Sequence, residues 1–128
     1  MPAGTNSAPN KIVAVLEDLF FTVKINEAAK RAGLPVAFVK SEVDAIESAK
    51  AGAALVILDL TCTCVDPLAL VKQFKSTPEL KKISLIGYLP HVQGELKQQA
   101  HDAGCDMVLA RSAFSQNLPQ IFNRYAER

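Results

Sequence analysis

The sequence predicts a doubly wound α/β domain, with a five-stranded parallel sheet and helices on both faces. Two observations carry that expectation. Short β-rich apolar runs alternate five times with longer segments whose apolar residues recur at three- and four-residue steps. The connections between them are short and punctuated by Gly, Ser, Asp or Pro. Composition adds a third: 128 residues, 49% hydrophobic and 21% charged, are enough to bury one core and too apolar for disorder.

The elements follow in order. Residues 1–10, MPAGTNSAPN, read as a flexible leader with neither the basic start nor the apolar run of a secretory signal. Residues 11–128 read as the domain. Ile12–Leu16 is the first strand, and a helix from about Asp18 to Ala32 carries Phe20 or Phe21, Ile25, Ala28, Ala29 and Ala32 before Gly33 stops it. Pro35–Val39 is the second strand. Ser41 caps a helix through Val43, Ile46 and Ala49 that ends near Gly52.

Ala54–Leu60 is the strongest strand and ends on a carboxylate, Asp59. After a loop with Cys62 and Cys64, Asp66-Pro67 opens a third helix through Leu68, Leu70, Val71 and Phe74. Ile83–Leu89 is the fourth strand, and its helix carries Val92, Leu96, Ala100 and Ala103 up to Gly104. Asp106–Ala110 is the fifth strand. Ala113–Ala126 is the last helix, with Pro119 inside it.

Such an alternation implies a parallel sheet covered on both sides, and right-handed crossovers favour the flavodoxin-like strand order. The functional crevice then lies at the carboxyl ends of the strands. Leu16, Glu17 and Asp18, the stretch 59–64, the stretch 89–91, and Arg111 with Ser112 are the groups brought there.

Charge and cysteines narrow the classes. A net charge of +1 gives no footprint for nucleic acid or an anionic membrane, and no stretch is apolar enough for a bilayer span. Three cysteines with no export signal predict reduced thiols and a cytoplasmic setting. The two histidines lie at opposite ends of one helix and no nucleophile motif is present, so the expectation is a non-enzymatic module.

Three motifs in the right order resemble the response-regulator receiver domain, in particular chemotaxis-type receivers, over roughly residues 11–126. VILDL ends a strand in Asp59, where receivers accept a phosphoryl group. STPELKKISLIG is similar to the receiver link into the fourth strand. AGCDMVLARSAF is similar to the receiver segment ending in Lys-Pro-Phe, with Arg111 at the lysine and Ser112 at the proline. The resemblance implies two-component signalling: a Mg²⁺ ion held by acids, an aspartyl phosphate, a hydroxyl and a cation on the phosphoryl oxygens, and a protein partner such as a histidine kinase or a downstream signalling protein.

Carried over residue by residue, the pattern is incomplete. Leu16 stands at the first acid and Glu17 at the second, with Asp18 after them. Leu89 stands at the Thr/Ser position, Val108 at the switch aromatic, and Arg111 at the lysine. The residual Mg²⁺ set is Glu17, Asp59 and the Thr61 carbonyl, with Asp18 a further candidate. Asp59 is therefore a phosphoacceptor, the remaining acid of a pseudo-receiver, or a polar strand end. We expect weak or absent phosphorylation, with Arg111 turned into the pocket onto Asp59 or Glu17 as an internal cation.

Cys62, Cys64 and His91 form a weaker metal candidate, lacking the usual C-x₂-C spacing, and Cys62-x-Cys64 a weaker redox candidate; thiols are the plain expectation. Gln93, Lys97, Gln98, Asn117, Gln120 and Arg124 supply a mixed polar face for a protein partner.

Overall fold

The computed structural model describes residues 11–63, 65–90 and 94–126 of the chain. Five strands and five helices alternate: β1 (Ile12–Val15), α1 (Leu19–Ala32), β2 (Val36–Val39), α2 (Glu42–Lys50), β3 (Leu55–Asp59), α3 (Pro67–Ser76), β4 (Ser84–Leu89), α4 (Gly94–Ala103), β5 (Met107–Ala110) and α5 (Arg111–Ala126). All strand pairs are parallel, in the order β2-β1-β3-β4-β5. The predicted doubly wound five-stranded sheet is the observed one. The leader, residues 1–10, lies outside the described residues.

The helix starts follow the capping residues. Asp18 accepts from the backbone N–H of Phe20 and Phe21, Ser41 from Asp44, and Asp66 from Ala69 with Pro67 in the first turn. Gly33 closes α1 at φ 75°, a left-handed value that suits glycine. The sequence expectation fails at α5. That helix begins at Arg111, directly after β5, and not at Ala113. It also continues through Pro119, which is exposed, because Phe114, Leu118 and Phe122 are buried on its other face.

Alternation along each strand splits the core into two. Val13, Val15, Val56, Leu58, Leu85 and Leu89 pack toward α2, α3 and α4, against Ala45, Val71, Phe74 and Ala100. Ile12, Ala14, Leu55, Ile57, Ile86 and Tyr88 pack toward α1 and α5, against Phe21, Ile25, Phe114 and Phe122. Both faces of each central strand are apolar, as a sheet buried on two sides requires. Gly87 belongs to this packing: a Cβ there would stand 2.9 Å from the Leu60 side chain, closer than carbon atoms tolerate.

Candidate functional site

The carboxyl ends of β1, β3 and β4 meet the start of α5 at one edge of the sheet. There β1 runs into Leu16, which is buried in the α1/α5 core and contributes no oxygen. Glu17 is exposed. Asp18 has two tasks: Oδ1 accepts from Phe20 N at 2.9 Å and Phe21 N at 3.4 Å, while Oδ2 accepts from Arg111 Nη2 at 2.6 Å. The Arg111 guanidinium also lies 5.0 Å over the Phe21 ring.

Arg111 stands at the pocket edge with its side chain 40% exposed, and its ion-pair partner is Asp18 and not Asp59 or Glu17. The physical reason is the start of α5. As the first residue of that helix, Arg111 carries a positive charge at the positive end of the helix dipole. The carboxylate at the N-terminus of neighbouring α1 is the one that compensates it.

Asp59 ends β3 half-buried and folds its carboxylate onto its own loop. Oδ1 accepts from both the backbone N–H and the hydroxyl of Thr61, each at 2.9 Å. Thr61 thus uses its side chain on Asp59. Leu89, at the hydroxyl position, is buried in the α2–α3–α4 core, and Val108 is buried in the same core. Neither group that a receiver uses to grip and sense a phosphoryl group is present at those two positions.

Cys62 is buried and disulfide-bonded, which corrects the expectation of a thiol at that residue. Its sulfur lies 3.9 Å from Glu17 Oε1; a disulfide sulfur has no proton to donate, so this is a contact only. Cys64, His91 and Gln93, and with them two of the three residues of the Cys62/Cys64/His91 metal candidate, lie outside the described residues. Cys105 is a free, buried thiol at the opposite end of the sheet, near Leu85 O and Met107 O, and burial pushes its pKa up.

Among the described residues, no three His, Cys, Asp or Glu side chains gather as a metal site. Of the expected Mg²⁺ set, Glu17 is exposed, Asp18 is engaged by Arg111, and the second oxygen of Asp59 accepts no hydrogen bond among the described residues. That suits a hydrated ion loosely held by two carboxylates, not a three-acid centre.

Sequence reasoning missed two features. Tyr88, the Cα partner of Asp59 across the sheet, is 1% exposed, and its hydroxyl has no hydrogen-bond partner among the described residues. Burial first, then the charges of Asp59 and Asp18, push its phenol far above the ordinary range, and Arg111 pulls the other way. A polar residue next to a strand end beside an aspartate was the available signal. The second feature is a ridge on α1 of Leu19, Phe20 and Val23, 77%, 59% and 57% exposed. On the expected polar face, Gln98, Gln120 and Arg124 are exposed and Lys97 and Asn117 half-buried; Gln98 donates to Asp102 and Asn117 to the Ala113 carbonyl.

No family model matches the sequence, and no curated protein sequence matches it. The solved structures do match. A putative response regulator from Chloroflexus aurantiacus superposes with a TM-score of 0.80 at 20% identity, over 94% of this chain and 100% of that one. The chemotaxis response regulator CheY4 of Vibrio cholerae gives 0.78 at 17%, over 92% and 99%. The receiver domain of the sensor histidine kinase PA1611 from Pseudomonas aeruginosa, with magnesium in its cleft, gives 0.77 at 18%, over 94% and 100%. The chain has the receiver fold. No helix among the described residues is long and apolar enough to cross a membrane.

Proposed function

We propose that residues 11–128 act as one receiver-like signalling module of the cytoplasm that binds a protein partner, with phosphorylation at Asp59 weak or absent. The observation that carries this reading is the Asp18–Arg111 pair. The cation a receiver would turn onto a phosphoryl group is already engaged by a neighbouring carboxylate. The apolar Leu16 and Leu89 support the same conclusion, since each replaces a group the phosphorylated state would need. The module works by binding, not by turnover.

The exposed ridge of Leu19, Phe20 and Val23 beside the pocket supports a protein partner, a histidine kinase or a downstream signalling protein, that covers apolar surface. It displaces the mixed polar face of α4 and α5 as the preferred contact. Mg²⁺, when held by Glu17 and Asp59, would neutralise charge at the acidic edge. The chain's own contribution is to hold Asp59 in place through Thr61.

The alternative is a working phosphoacceptor. Asp59 favours it in one respect: its second oxygen accepts no hydrogen bond among the described residues. Intact-mass measurement after incubation with acetyl phosphate and Mg²⁺ separates the two readings. Little or no gain of one phosphoryl group is expected. Ready labelling that disappears in Asp59→Asn would make the phosphoacceptor reading the correct one.

A further inference from the structure

A buried phenol hydroxyl without a partner is unfavourable relative to a satisfied one, and phenylalanine would avoid the penalty. Tyr88, 1% exposed, keeps that hydroxyl buried, with its ring stacked 4.8 Å from Phe114 and tilted against Phe21 at 4.9 Å. The register locates it. Tyr88 and Asp59 are Cα partners in neighbouring parallel strands, so their side chains leave the same face of the sheet. Phe21 packs against Tyr88 and also carries the Arg111 guanidinium. The hydroxyl thus lies within the field of Asp59, Asp18 and Arg111.

We propose that the Tyr88 hydroxyl is a hydrogen-bond donor for a phosphoryl-class oxyanion seated on Asp59, replacing from position 88 the donor that Leu89 lacks. The inference rests on the receiver reading of this pocket. It deepens that reading by assigning the residual oxyanion affinity of Asp59 to a particular atom. A phenol is protonated at neutral pH, so its O–H can donate to an oxyanion.

Beryllofluoride with Mg²⁺ is the probe, since it seats on an aspartate carboxylate as a tetrahedral phosphoryl mimic, and its bound ¹⁹F resonance reports occupancy. The wild-type protein should bind it. Tyr88→Phe should weaken binding by about tenfold or more, the loss of one hydrogen bond to a charged group, with no drop in melting temperature. Adding Leu89→Thr to Tyr88→Phe should restore binding. In Tyr125→Phe protein, where Tyr88 is the remaining tyrosine, its ¹³Cζ resonance should shift on loading, a readout that does not require Tyr88→Phe to fold. Equal binding by Tyr88→Phe, an unmoved Cζ resonance, or no bound probe in the wild type each overturns the inference. The last of these leaves the partner-binding reading intact. That reading fails instead on ready acetyl phosphate labelling of Asp59.

Discussion

Replacing Asp18 separates its two tasks, and the structure sets the size of each. Through Oδ1 it caps α1, a role whose loss to alanine costs about 1 kcal/mol. Through Oδ2 it pairs with Arg111. That pair is only partly buried, with side chains 25% and 40% exposed, so solvent screening holds its worth to roughly 0.5–1 kcal/mol. Asp18→Ala should thus lose about 1.5–2 kcal/mol, while Asp18→Asn keeps a good cap and loses only the pair. Arg111→Ala should lose about 1 kcal/mol, part of it from contact with Phe21.

Urea denaturation of the two single variants and of Asp18→Asn with Arg111→Ala closes a double-mutant cycle, with an expected coupling of about 0.5–1 kcal/mol. In a chain of this size 1 kcal/mol moves the melting temperature by about 4 °C, well within measurement. Zero coupling would refute the ion pair. Equal losses for Asp18→Ala and Asp18→Asn would refute the cap.

Three further outcomes are expected. A chelator should leave the cooperative melt in place, shifted by no more than about 3 °C, because the core is apolar on both sides of the sheet and needs no metal; loss of the transition would show a structural ion. The Cys105 thiol should resist iodoacetamide at neutral pH in the native state and react in urea. Its folded pKa is raised, so the stability linked to its neutral form is full below the ordinary thiol range and falls as pH climbs through the folded value; fast native labelling at neutral pH would contradict this. Pro119→Ala should stabilise by about 1 kcal/mol or more in denaturant titration, since an interior proline removes a helix hydrogen bond and crowds the preceding turn; a loss of stability would mean that the ring packs favourably.

The fold was legible because its signals are local. The apolar runs give the strands, Asp18, Ser41 and Asp66 mark helix starts, and Gly33 marks an end. The site was legible only where the backbone positions it. Asp59, Glu17, Leu89 and Arg111 do lie at the carboxyl ends of the strands, because the element boundaries fix them there. That Arg111 pairs with Asp18, and not with Asp59 or Glu17, was not readable, since it depends on α5 starting two residues early and on a side chain 93 positions away. Tyr88 escaped for a related reason. A tyrosine in an apolar strand looks like core, and only three-dimensional packing shows that its hydroxyl has been left unpaired. The α1 ridge was partly visible as Phe20 or Phe21, but periodicity alone did not decide which of the two is buried; the structure buries Phe21.

The stacked Tyr88 and Phe114 rings also determine how this protein can be observed. The chain has no tryptophan and only two tyrosines. Its near-ultraviolet circular dichroism should therefore be dominated by a chromophore clamped between α1, β4 and α5. A rigid, asymmetric ring environment gives a signed band, and one that rotates freely gives almost none. That band is an intrinsic gauge of whether the two helices flanking the acidic edge remain seated on the sheet. It needs no label, and it follows side-chain order at one end of the molecule while the far-ultraviolet signal follows the backbone as a whole.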